Sequence, residues 1–290
     1  MIRIRRVLAP NPSPFTLEGT NTWVLGDRPS VVIDPGPDDS GHLLAVADQA
    51  EPVEAILLTH RHPDHAPGAT RLSAATGAPV YALRPEDGER LIRHNQVLEV
   101  GGLSVRAIHT PGHTSDHLVF LLESDGAMFT GDTILGRGTS VVDPPDGDMA
   151  AYVRSLGELL ALSPRVIYPG HGPVVFDAVG RIEAYLSHRD ERERQVLDAV
   201  LAGRSVPEEM VPEIYGGDVP EAMFRHAERS VLAHLLKLER EGRVARTGRL
   251  SDNRFVAVQQ KPCARCGRPA AVGSSLCRRC SLDALQEGPG

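Results

Sequence analysis

Thr59-His60-Arg61-His62-Pro63-Asp64-His65 follows directly on the apolar run Ala55-Ile-Leu-Leu58. Side chains two apart on an extended chain share a face, so His60 and His62 can meet one ion. Pro63 turns the chain, and Asp64 and His65 can then face a neighbouring ion. Imidazole suits zinc, and a hard carboxylate oxygen completes the donor set of a hydrolytic site. Three later segments repeat one design: Pro111-Gly112-His113, Thr130-Gly131-Asp132 and Pro169-Gly170-His171. Each places glycine directly before a donor, where the backbone freedom of glycine lets a strand-end side chain aim into a shared cleft. The seven donors His60, His62, Asp64, His65, His113, Asp132 and His171 suit two metals with one shared carboxylate. Two such ions bring a water to hydroxide near neutral pH, which supports ester or phosphodiester hydrolysis.

Outward from this stretch, short apolar runs alternate with helical patterns. Trp23-Val-Leu25, Val31-Val-Ile33, Ala55–Leu58, Leu118-Val-Phe-Leu-Leu122 and Val166-Ile-Tyr168 read as strands bounded by Gly, Pro or Asp. Met149, Tyr152, Val153, Leu156, Leu159 and Leu160 recur at three and four residues, an amphipathic helix ending before Pro164. The mixture predicts a layered α/β domain over residues 1–185. Beyond it, Val196, Leu197, Val200 and Leu201 give one helix, and Ser205-x-x-Glu208 with Pro207 predicts a capping box on a second. Ala227, Val231, Leu232, Leu235, Leu236 and Leu238 line a third. Arg243–Arg246 and Phe255–Val258 flank a polar loop and read as a hairpin. Three helices followed by a hairpin predict a winged helix over residues 186–258.

Charge is distributed unevenly along the 290 residues. The net −7 divides into −9 over residues 1–185 and +2 over the rest, and within the latter residues 225–280 carry +9. The total argues against a general nucleic-acid coat protein, but the basic rear keeps a phosphate partner open. The positive N-terminus is interrupted by Pro10, Asn11 and Pro12 before any apolar stretch forms, so it does not read as a secretory signal. No run approaches the ~18 apolar residues of a membrane span. Residues 1–262 contain no cysteine, which excludes a disulfide-stapled fold and makes cytoplasmic the expected location.

The donor order, HxHxDH followed by His, Asp and His, resembles the metallo-β-lactamase superfamily. The resemblance covers about residues 1–185 and implies an αββα sandwich with two metals at one edge between its sheets. It implies His60, His62 and His113 around the first zinc and Asp64, His65 and His171 around the second, with Asp132 bridging and both aspartates catalytic. Manganese or iron can occupy the same donors. Asp34, in Ile33-Asp-Pro-Gly36, matches the aspartate that orients a metal-bound histidine. His94, His109, Asp116 and His117 have no slot in the motif and are expected to be ordinary core or surface residues.

Within the superfamily, His65 and the missing cysteine donor disfavour antibiotic hydrolysis. Asn11-Pro-Ser-Pro-Phe-Thr-Leu-Glu-Gly-Thr-Asn-Thr22, Thr110-Pro-Gly-His-Thr114, Gly131-Asp-Thr-Ile-Leu-Gly136, Tyr168-Pro-Gly-His-Gly-Pro173 and Tyr185-Leu-Ser-His-Arg189 look like segments of the β-lactamase-like protein 2 family. That likeness runs to about residue 258 and implies either cleavage of single-stranded RNA or hydrolysis of a small acyl thioester or ester. The expectation placed first is RNA cleavage, with Arg225, Arg229, Arg243, Arg246, Arg249 and Arg254 as the phosphate-facing residues. The alternative makes the winged helix a lid or a homo-oligomer surface. Cys263-x2-Cys266-x10-Cys277-x2-Cys280 predicts a third element, a zinc ribbon over 262–282 with one structural zinc, followed by a disordered tail over 283–290.

Overall fold

The structure is a computed structural model that describes residues 2–216, 223–249, 252–258 and 265–266. It divides into two compact units at 190/191. The cysteine segment and the tail lie outside the described residues except Arg265 and Cys266, which are exposed. No helix among the described residues is long and apolar enough to cross a membrane.

The first unit holds two sheets. One has six strands in the order β1(Ile4–Leu8), β2(Asn21–Leu25), β3(Ser30–Ile33), β4(Val53–Leu57), β5(Val80–Ala82), β6(Arg90–Leu91). The other runs β11(Val166–Pro169), β10(Ala127–Gly131), β9(Leu118–Leu122), β8(Leu103–His109), β7(Val97–Val100). Trp23, Leu25, Ile33 and Leu57 from the first sheet share one core with Val105, Phe120, Leu122 and Phe129 from the second, so the sheets pack face to face. Alternate residues of the first sheet, among them Val24, Val32 and Ile56, pack against Leu43 and Val46 of α1(Ser40–Ala50) and Leu72 of α2(Gly68–Thr76). Burial on both faces explains why Trp23–Leu25 of β2 and Val31–Ile33 of β3 are apolar without alternation.

Polar bonds tie the two layers together at one end. Trp23 Nε1 and Asn21 Nδ2 both donate to Pro169 O at 3.0 Å, and Asn21 also reaches Gly172 O at 2.9 Å. α3(Met149–Ala161) is N-capped by Asp148, whose carboxylate accepts from Ala151 N. Its Tyr152 Oη donates to Thr133 O at 2.5 Å and its Ser155 Oγ to Pro111 O at 2.9 Å, which anchors it to the loops after β10 and β8. Tyr185, from the first half of α4(Ala178–Leu201), accepts from Leu135 N at 2.8 Å.

The second unit contains the end of α4, α5(Pro207–Tyr215), α6(Phe224–Arg240) and the hairpin β12(Val244–Thr247)–β13(Arg254–Ala257), the winged-helix order. Val196, Val200, Met210, Val211, Val231, Leu235, Leu238, Val244 and Phe255 form its core. One detail differs from the sequence expectation. The N-cap of α5 is Val206, without a side-chain bond, and Glu209 rather than Glu208 reaches back to Ser205 N, at 2.8 Å. Pro207 at the first helical position moves the helix start one residue past Ser205, and the reaching carboxylate shifts with it.

Candidate metal centre

Strand ends bring the donors together. β3 and β4 run parallel, as do β10 and β11, so the loops after all four open at one edge of the sandwich. Asp34 follows β3, the Thr59–His65 stretch follows β4, Asp132 follows β10, and Gly170 and His171 follow β11. His113 lies in the connection between β8 and β9. Two of the glycines before donors act differently. Gly131 takes φ +45°, and a Cβ there would lie 2.5 Å from Thr59 Oγ1, so both conformation and space require glycine. Gly170 has no left-handed backbone; it is needed because a Cβ would lie 2.6 Å from Asp132 Oδ1 and 2.7 Å from His65 Cε1.

Asp34 organises the first ring of contacts. Its carboxylate, 2% exposed, accepts from Thr59 N at 2.8 Å, Thr59 Oγ1 at 2.7 Å and His65 Nδ1 at 2.8 Å. Because the Thr59 hydroxyl donates to Asp34, its oxygen accepts from His60 Nδ1 at 2.9 Å. His113 Nδ1 donates to Val141 O at 2.7 Å, and His171 Nδ1 faces Gly19 O at 3.3 Å. With these Nδ1 atoms committed outward, His60, His65, His113 and His171 all present Nε2 inward.

The inward atoms form two adjoining groups. His62 Nδ1 is 3.0 Å from both His60 Nε2 and His113 Nε2. His65 Nε2 and His171 Nε2 are 3.2 Å apart, and Asp64 Oδ2 lies 3.1 Å from His171 Nε2 and 3.5 Å from His65 Nε2. Asp132 stands between them: Oδ1 is 3.3 Å from both His65 and His171, and Oδ2 is 3.7 Å from His113. Oδ1 is buried and makes no directed hydrogen bond. Two of the nitrogens facing His62 have their protons committed elsewhere, so one shared proton cannot satisfy all three. A cation at each group would give these inward nitrogens and carboxylate oxygens a shared partner, and the donor set of imidazoles and carboxylates fits divalent metals.

Electrostatics separates the groups. Burial lowers the basicity of His60 well below the ordinary histidine range, and burial beside His113 lowers that of His62. In the second group burial is outweighed. Asp132 and Asp34 hold His65 well above the usual range, and Asp132 with Asp64 raises His171 to about 9. Asp64 is also pushed up by burial, but His65 and His171 bring it down to about 2, so it stays a carboxylate at neutral pH.

His117, expected to be an ordinary core residue, is buried and fully bonded: its Nε2 accepts from Asp132 N at 3.1 Å, and its Nδ1 faces Thr133 Oγ1 at 3.1 Å. It also stacks on His60 with ring centroids 4.7 Å apart. It thus fixes the backbone of one donor from behind, as Thr59 fixes His60. Thr59 was readable as the first residue of the stretch after β4; His117 had only its place on the loop of His113.

The six arginines proposed to face phosphate all lie in the second unit and are largely engaged there. Arg243 pairs with Glu193 at 3.2 Å, and Arg246 pairs with Glu239 at 2.9 Å while covering the Phe255 ring. Arg254 donates to Ser205 Oγ at 3.0 Å. Arg225 and Arg249 are exposed and Arg229 is half-buried.

Comparison with known proteins agrees with this geometry. Residues 15–95 and 81–171 match the metallo-beta-lactamase superfamily, and residues 207–253 match the beta-lactamase associated winged helix domain. Beta-lactamase-like protein 2 homolog of Drosophila melanogaster is 36% identical over 278 residues, covering 88% of this chain and 93% of that protein. Atrochrysone carboxyl ACP thioesterase of Aspergillus chevalieri is 38% identical over 259 residues, covering 84% and 83%. A solved metallo-beta-lactamase family protein from Thermus thermophilus shares the fold with a TM-score of 0.73 at 24% identity, covering 88% of this chain and 98% of that one. With both models matched in the order in which the two units follow along the chain, and with a relative 36% identical over most of both lengths, the chain belongs to the metallo-beta-lactamase superfamily of hydrolases.

Proposed function

We propose that the chain hydrolyses an acyl thioester or ester with two divalent metals, zinc in the first instance. The observation that carries this reading is the likeness, across more than four-fifths of both chains, to a protein named as an ACP thioesterase. RNA cleavage, the expectation from the basic rear, has less behind it, because Arg243 and Arg246 are already paired with glutamates.

His60, His62 and His113 would hold one ion, Asp64, His65 and His171 the other, and Asp132 both. When bound, the ions supply Lewis-acid polarisation of water and of the acyl oxygen. The chain's own residues do the rest. Asp64, with a quarter of its side chain exposed, is steadied by Thr20 Oγ1 at 3.4 Å and His171 at 3.1 Å. It accepts a hydrogen bond from the attacking water and takes its proton at the carboxylate. Water oxygen adds to the acyl carbon, the C–S or C–O bond breaks, and the proton held at Asp64 passes to the departing thiolate or alkoxide. Asp34 holds His65 through Nδ1, and Thr59, itself held by Asp34, holds His60 the same way, so both rings turn Nε2 toward the centre.

A panel of acyl thioesters, esters and single-stranded RNA offered to zinc-reconstituted protein tests the reading. Thioester turnover lost on chelation and lost in Asp64→Asn is the expected result. RNA nicking with no thioester or ester turnover would replace it with the phosphodiester reading.

A further inference from the structure

Asp132 is followed by a segment that forms neither helix nor strand until α3 begins at Met149. This segment supplies the acceptor that aims His113. Val141 O takes the Nδ1 proton at 2.7 Å, and Ser140 Oγ lies 3.2 Å from the same nitrogen. Backbone outside helices and sheets keeps such an acceptor in place only if other elements grip it. The grip comes from α4. Arg181, Tyr185 and Arg189 follow one another at intervals of four, so they line one face of the helix. Arg181 Nη2 donates to Leu135 O at 3.0 Å and to Gly138 O at 2.7 Å, and Tyr185 Oη accepts from Leu135 N at 2.8 Å. Arg189 Nη2 donates to Ser140 O at 2.5 Å. Along this face the bonds advance from residue 135 to residue 140, and Arg189 holds the end next to Val141.

Arg189 holds it at a cost. It is 3% exposed, its Nε is sealed from water without a partner, and no carboxylate pairs with it among the described residues. Its guanidinium lies instead over the Tyr152 ring, 5.1 Å from the centroid. A cation withdrawn from water without a counter-ion lowers stability, and a methionine would fill the same length without that penalty. What methionine cannot do is donate to Ser140 O.

We propose that Arg189 is a positioning residue for the first metal: by fixing Ser140 it holds the Val141 carbonyl where His113 must turn Nε2 inward. The proposal rests on the two-metal reading above and not on the identity of the substrate. The second group, Asp64, His65 and His171, takes its outward bonds from Thr20, Asp34 and Gly19 instead, so loss of Arg189 acts on one site alone.

Zinc titration against a competing chelator tests it in wild type, Arg189→Met, His113→Ala and the double variant. Arg189→Met is expected to weaken one of the two zinc sites about tenfold, the lower end of the effect of losing a bond that orients a ligand, and to leave the other at its wild-type affinity. In the His113→Ala background the same substitution should change neither site, because the residue it acts through is gone. Arg189→Lys, which keeps the charge and shortens the reach, carries the same comparison should Arg189→Met fail to fold. Two sites of wild-type affinity in Arg189→Met, equal weakening of both sites, or a loss that persists without His113 overturns the role of Arg189 and leaves the two-metal reading standing. Wild-type protein that binds fewer than two zinc ions overturns both.

Discussion

Asp34→Asn changes one atom in the network that aims the metal donors, and its consequences can be worked bond by bond. Oδ1 of Asp34 accepts from Thr59 N, while Oδ2 accepts from both Thr59 Oγ1 and His65 Nδ1. An amide nitrogen at the Oδ1 position faces the Thr59 N–H, donor against donor, and leaves a buried N–H unbonded. At the Oδ2 position it faces the His65 ring, which must then accept at Nδ1 and carry its proton on Nε2, toward the centre. The first arrangement loses about 1–3 kcal/mol of stability, the penalty of an unsatisfied buried group. The second keeps more of the stability and removes a metal donor, lowering metal affinity by roughly 10- to 100-fold, the usual effect of losing a bond that orients a ligand. Urea denaturation of the apoprotein and zinc titration against a competing chelator measure the two outcomes separately. At least one must move by those amounts. Wild-type values of both would refute the account of Asp34 as the orienting acceptor.

Two further predictions concern other parts of the molecule. Gly170→Ala puts a methyl group into the contact between Asp132 and His65, and a shift of ~1 Å in a donor should reduce kcat/KM on the order of 100-fold and lower bound metal measured by mass spectrometry; an active, fully loaded variant would contradict the crowding argument. In the second unit, burial pushes Glu193 up, but His234, with Nδ1 3.7 Å away, and Lys237, at 2.7 Å, outweigh it and bring it to about 2. Its ordinary value is near 4.5, so the stabilisation is complete above that pH and fades as pH falls toward 2. Relative to Glu193→Gln, wild-type protein should be more stable by about 2 kcal/mol at pH 6, with the difference shrinking between pH 4.5 and pH 2 in denaturant titrations. A difference that stays constant across that window would show that the charge of Glu193 is not what is lost.

The change in substrate reading shows the limit of charge arithmetic. Summed along the chain, residues 225–280 are strongly basic, and a phosphate-binding face is the natural inference. In three dimensions Glu193, acidic and outside that window, gathers Lys237 at 2.7 Å and Arg243 at 3.2 Å, and Glu239 takes Arg246. Sequence windows count charges by position, whereas attraction depends on distance, and a glutamate far along the chain cancels an arginine as well as an adjacent one.

The donor residues and the α/β architecture were legible from the chain alone, because the chemistry is concentrated in contiguous pieces: a seven-residue stretch after an apolar strand and three glycine-led segments after others. Strands β2, β3, β4, β9 and β11 and helix α3 were legible for a similar local reason, since burial on one or both faces imprints its period on the sequence, whereas β1, β5–β8 and β10 were not read as strands. Ring orientation was not legible. Which nitrogen of each histidine points inward depends on Asp34, Thr59, Val141 and Gly19, brought in from four separate segments. Nor was the role of His117 behind Asp132, which the motif had set aside. A motif records which side chains exist at a spacing; hydrogen bonding and solvent exclusion are fixed only when distant loops close around them, and those two effects decide what a histidine or an aspartate can do.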